Sequence, residues 1–345
     1  GVGAGGVIFN VAAGHTETLT ARINLSATGT AANPITFQKS GVGANPKITA
    51  FVGSNTPTSN ERDGMFSLTG SDYVTIDGID LSESAANLDI AAQMEYGYGL
   101  FKASDSDGCQ NNTIKNCVVT LDRLDNNAGT GVWHNGSCAI VVLNCTPLVN
   151  TALTVLVVAG SHSNNKFYTN TVQNCNAGIV FIGYAAPSPF TLGDTNNDVG
   201  GTTAATGNTI LNFGGSAGAA NPSTGIFANN QWGFNCSRNT INNNNGSGVN
   251  HVSTLRGIFL NSSSTSASAD CNFNTITLKS NATTSQVSCI ENSFGATALN
   301  NTININNNTI TNCATPLATT GIFYGIYSTA SSAYLNINNN TFSNN

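Results

Sequence analysis

Asn272-Phe273-Asn274-Thr275-Ile276-Thr277-Leu278 returns thirty-four residues later as Asn306-Asn307-Asn308-Thr309-Ile310-Thr311-Asn312. The shared unit, Asn-Thr followed by Ile, Val or Phe, forms a series that includes residues 112, 170, 208, 239, 274, 308 and 340 as starts, with steps between these of 58, 38, 31, 35, 34 and 32, the first read as two turns. A fixed period of this size marks a solenoid, in which each repeat buries its apolar residues against the next. A Gly-Ile pair opens a second apolar run in many repeats, at Gly178-Ile179, Gly225-Ile226, Gly257-Ile258 and Gly325-Ile326. Each repeat therefore holds at least two short strands between Asn and Gly turns, and no window carries the helical i, i+3, i+4, i+7 spacing. The pattern predicts an all-β chain wound once per repeat, its parallel strands about 4.8 Å apart. A further Asn usually follows two positions after the apolar residue, at Asn116, Asn174, Asn212, Asn243, Asn312 and Asn344. Asn tolerates the left-handed backbone of a tight corner. Its amide both donates and accepts, so these six are expected to stack as an asparagine ladder.

Composition agrees. Only 8% of the 345 residues are charged, against about a quarter in ordinary domains, and 36 Gly with about fifty Asn stand in their place. Too few Leu, Glu, Lys and Arg remain to face helices. Eleven Lys and Arg against seventeen Asp and Glu leave a net charge of -6, which argues against a nucleic-acid partner. No stretch approaches the ~18 apolar residues of a helical membrane span. Gly1 to Gly6 is no signal peptide, which reads as a mature or trimmed chain. The closing Asn338-Asn339-Asn340-Thr341-Phe342-Ser343-Asn344-Asn345 still carries the repeat. The array is therefore expected to continue in a larger parent chain or to be covered by a partner, including another copy stacked end to end.

The opening segment contains Val7-Ile8-Phe9-Asn10-Val11, Gly29-Thr30-Ala31-Ala32-Asn33-Pro34-Ile35-Thr36-Phe37 and Gly70-Ser71-Asp72-Tyr73-Val74-Thr75-Ile76-Asp77-Gly78-Ile79. It resembles the start of right-handed parallel β-helix proteins of the pectin-lyase-like class. With the Asn-Thr-Ile array, the chain resembles repetitive surface proteins that Bacteroidetes export by type IX secretion. The resemblance implies a right-handed parallel β-helix at an extracellular, cell-surface location, and covers nearly the whole chain. Residues 1–110 read as N-terminal capping coils and 111–345 as repeat coils of the same helix, with long loops at about 85–108, 122–137, 184–206 and 214–224.

Chemistry is sparse. Glycoside hydrolysis needs two carboxylates on one surface, yet beyond Asp198 only Asp270 and Glu291 occur, in different repeats. That half of the chain is expected to supply no pair. Uronic-acid lyases of the resembled class pair a basic residue with calcium, which makes Lys102 and Arg123 the candidates, with Lys115 behind them. Asp194, Asn196 and Asp198 alternate oxygen side chains before two glycines and are the candidate calcium ligands; no other cofactor is expected. The nine cysteines show no Cys-x-x-Cys spacing, so zinc is not expected. Cys117, Cys175 and Cys313 each follow a corner Asn and suggest one shared coil position; Cys109 with Cys117, or Cys138 with Cys145, lie near enough in sequence to bridge in an exported chain. The main functional reading is thus a non-catalytic adhesin, a rigid stalk or assembly subunit that binds glycans or other surface proteins. The alternative is a calcium-dependent polysaccharide lyase or glycoside hydrolase.

Overall fold

In the computed structural model the described residues are 2–54, 62–89, 92–122, 136–215, 221–245, 250–296 and 300–345. They form a parallel β-helix whose coils place one strand in each of three long sheets of ten, ten and nine strands. The first sheet begins with Val7–Ala12 and Ile35–Ser40, the second with Thr16–Thr18 and Lys47–Thr49, the third with Ile23–Leu25 and Gly64–Thr69. All three sheets run past residue 110 without interruption. Among the described residues, the helical elements named are the single 3-10 turns Val158–Gly160 and Ala204–Thr206, and no helix is long and apolar enough to cross a membrane.

The repeats place like residues on like positions. In the second sheet Val119, Val172, Ile210, Ile241, Ile276, Ile310 and Phe342 align in one register column. In the third, Tyr98, Ile140, Ile179, Ile226, Ile258, Ile290 and Ile326 do the same. Most of these side chains are almost fully buried, so burial of one apolar residue per strand per coil builds a continuous bore of core. The third sheet is apolar on its other face as well, where Val141, Val180 and Phe227 are buried and Phe259 packs beside them, the pattern of a sheet covered on both sides.

Three expectations need correction. Each coil has three strands, within the expectation of at least two, but Tyr96–Phe101, inside a stretch read as loop, is a fully buried third-sheet strand. Its glycines masked it: a Cβ on Gly97 would collide with Val119, and one on Gly99 with the Phe101 ring. The step of 58 is not two turns. Thr113–Lys115 belongs to the first sheet and Thr171–Cys175 to the second, so the same tripeptide serves two faces.

The amides that stack are not the six expected. Asn116, Asn174, Asn212, Asn312 and Asn344 do hold the left-handed corner, with φ from 49° to 57°, but such a corner turns the side chain outward. Asn116 bonds Asp77 and Thr169, and Asn212 accepts from the Asn245 amide. Asn243 is buried and pairs with the Lys279 backbone. The stacked row is instead the Asn that precedes Thr-Ile: Asn170, Asn208, Asn239, Asn274, Asn308 and Asn340. Each of the first five donates from its backbone and its side-chain amide to the Oδ1 of the next, at 2.9–3.2 Å. Each Nδ2 also caps a backbone carbonyl of a first-sheet strand or its extension, such as Val199 O for Asn239. A second, shorter stack, Asn112 to Asn165 to Asn197 to Gln231, runs through the corner that leads into the first sheet.

Candidate functional site

The second stack positions a groove on the outer face of the first sheet. Immediately before each buried amide lies a corner residue with positive φ: Asn111 before Asn112, Asn164 before Asn165, Asn196 before Asn197. With Tyr73 and Gly233, also at positive φ, these form one rim of an open groove of about 620 Å³. Its floor is the outward row of the sheet. Thr113 pairs with Lys166, Lys166 with Asp198, Asp198 with Asn235, Asn235 with Asp270, and Asp270 with Asn304. Side chains alternate across a strand, so the neighbouring positions Phe167, Val199, Phe234 and Ala269 point into the core.

This register puts Asp198 and Asp270 on one surface, two rungs apart, a backbone separation of about 9.6 Å. Asp198 Oδ2 accepts the Tyr168 hydroxyl at 2.5 Å, and Oδ1 takes the Asn235 amide at 3.4 Å. Burial and the adjoining carboxylate push the Tyr168 phenol well above its usual range. Asp270 Oδ1 accepts from Asn304 Nδ2 at 2.8 Å and is otherwise open to solvent. The sequence reading missed this pair because it treated different repeats as different places. The doublet Asn-Asn at 111, 164 and 196 was the available signal, since the residue after each doublet, Thr113, Lys166 or Asp198, is a member of the row.

The residues singled out from sequence fare differently. Lys102 is fully buried, and its ammonium donates to the Gly160 carbonyl. Burial lowers its pKa, with Asp194 opposing, and no substrate reaches it. Arg123 lies outside the described residues. Lys115 is held by Asp77 at 3.1 Å. Asp194, Asn196 and Asp198 do not converge. The left-handed Asn196 reverses the chain between two short strands, so Asp194 faces inward, accepting the His162 amide at 2.8 Å, while Asp198 faces the groove. Among the described residues no group of three or more His, Cys, Asp and Glu is arranged to hold a metal. All nine cysteines are free thiols and buried, so neither expected bridge exists. Cys117 lies between the first and second sheets, whereas Cys175 and Cys313 lie at the far end of the second, so the three share no single position.

Further carboxylates line the corner between the second and third sheets. Glu83 accepts from the Ser84 and Met94 amides and from Asn87. Glu95 accepts from the Asp63 amide, and burial, reinforced by the Asp63 charge, pushes it up to about 8.

No protein-family model matches the chain, and no curated protein matches it. Solved structures do. The lacto-N-biosidase of family GH136 from Eubacterium ramulus aligns over 97% of this chain at 14% identity with a TM-score of 0.51 in its selenomethionine form. In its native form it aligns over 96% at 13% identity and 0.50. A phage Dettilon tailspike aligns over 96% at 0.32. The chain spans 62% of the length of each of these proteins. The likeness is one of fold, and it overturns the reading of a non-catalytic adhesin stalk. A coil that repeats along the whole chain is also the scaffold of a glycoside hydrolase, and the supposed lack of paired carboxylates does not survive the register.

Proposed function

We propose that the protein is a glycoside hydrolase that lays a glycan along the first-sheet groove and cleaves it between Asp198 and Asp270. The observation that carries this reading is the shared outward row, which faces both carboxylates into one groove two rungs apart. Asp198, whose oxygens accept from the Tyr168 hydroxyl and the Asn235 amide, is held in place facing the groove and acts as the general base that activates water. Asp270 is the acid that protonates the leaving oxygen. The two-rung backbone spacing of about 9.6 Å is far from the ~5–5.5 Å between the carboxyl groups of retaining enzymes and close to the upper limit of ~9.5 Å for inverting ones, so inversion of the anomeric centre is the expected outcome. The neutral Asn and Thr groups of the rim and floor supply hydrogen bonds to sugar hydroxyls, and Tyr73 supplies a ring face. With this reading goes an extracellular location, as the type IX resemblance implies, to be checked by fractionating the native source.

The test is turnover of a glycan panel, beginning with oligosaccharides that contain lacto-N-biose, the disaccharide in the solved neighbour's name. Proton NMR of the first product gives the stereochemistry. Inversion, with loss of turnover in Asp198→Asn and Asp270→Asn, supports the assignment. Wild-type turnover in both variants moves the site elsewhere. A panel without any cleavage sinks the hydrolase reading.

A further inference from the structure

The third-sheet strands carry a column of very small residues. The registers that pair their neighbours align Gly97, Ala139, Gly178, Gly225, Gly257, Cys289 and Gly325. Space there is short: a Cβ on Gly225 would press on the Ile241 side chain at 2.9 Å, and one on Gly257 on Ile276 at 3.0 Å. Cys289 breaks the column in one coil. The residue its sulfur meets is another cysteine, Cys313, at the end of the second sheet in the following coil, with the two Sγ atoms 3.6 Å apart. The Leu278 amide also points at Cys313 Sγ, at 3.2 Å. Packing alone is served by Gly, as the neighbouring coils demonstrate, so the pairing of two thiols here calls for a chemical account.

We propose that Cys289 and Cys313 are a disulfide-forming site that cross-links consecutive coils when the protein meets a small-molecule disulfide. The sulfurs need to close by about 1.5 Å to bond. The adjoining Cys289 thiol, with the Leu278 amide that donates to Cys313 Sγ, holds Cys313 below the usual thiol range, which makes it the attacking sulfur. Its thiolate displaces one thiolate from the reagent and forms a mixed disulfide; Cys289 then gives its proton to that departing thiolate and displaces the second. Two protein thiols are oxidised, one reagent disulfide is reduced to two thiols, and the charge balances.

The test treats the folded chain with excess oxidised glutathione near about pH 8, where thiolates form, then counts remaining thiols and maps peptides without reduction. Glu291 lies between the two cysteines, so cleavage after Glu separates them unless they are bridged. The expected result is loss of two of the nine thiols, one linked peptide pair, and an unfolding temperature raised by several degrees. Cys289→Gly, which restores the residue of the adjoining coils, and Cys313→Ser each keep the fold and abolish the link. The proposal fails if all nine thiols survive in the folded chain while the urea-unfolded chain loses them under the same oxidant. It fails equally if the bridge that forms joins other cysteines, such as Cys236 with Cys271.

Discussion

The buried amide stack and the groove floor are made by one device, a residue contributed at the same place by every coil, yet they use it in opposite ways. The stack repeats one side chain from Asn170 to Asn340, and each amide is useful because the next is identical. The floor changes at every rung, from Thr113 to Lys166 to Asp198 to Asn235 to Asp270. Inside, uniformity satisfies polar groups that water cannot reach. Outside, water satisfies them anyway, and variation is free to build a site.

Removing members of the two rows separates these roles. Asp198→Asn or Asp270→Asn lowers glycan turnover by about 10²–10⁴-fold, the usual worth of a general acid or base, and leaves the unfolding temperature unchanged. Equal turnover would erase the distinction drawn for the floor. Asn239→Ala does the reverse. It orphans the Asn208 amides and the Val199 carbonyl, at a cost of about 2–4 kcal/mol in denaturant unfolding, without a direct contact to the floor carboxylates. A loss below ~0.5 kcal/mol would mean that the stack contributes no stability.

The second-to-third corner gives a control outside both rows. Glu95 keeps its proton up to about 8 when folded but releases it near 4.5 when unfolded. Its stabilising share is complete below pH 4.5 and is lost as pH rises to about 8. Glu95→Gln therefore flattens the fall in stability across that window, which for one proton has a slope of about 1.4 kcal/mol per pH unit. An unchanged pH profile would show that this carboxyl ionises normally. Smallest of all, Asn312→Gly changes stability by less than ~0.5 kcal/mol, because Gly adopts the left-handed corner freely. A large loss there would restore Asn312 to the structural role expected from sequence.

The second and third sheets were legible because each recurs as a motif, Asn-Thr-Ile for one and Gly-Ile for the other. The first sheet was not. Its middle strands, Asp198–Val199, Phe234–Asn235 and Ala269–Asp270, are two residues long and share no pattern. Their alignment is imposed by the apolar columns of the other two sheets, which fix where each coil must close. The candidate site sits on that sheet, so its parts were visible in the sequence and their neighbourhood was not. The ladder was misplaced for a related reason: Asn is favoured at a left-handed corner and at a buried stack alike, and only the direction of the side chain tells them apart.

The floor has a consequence for how such a molecule changes over generations. Every lap adds one outward residue and one increment of length, while the interior accepts any lap that keeps its apolar and amide positions. Duplicating or deleting a repeat therefore lengthens or shortens the cleft in whole steps, as on a ruler, and leaves the remaining graduations where they were.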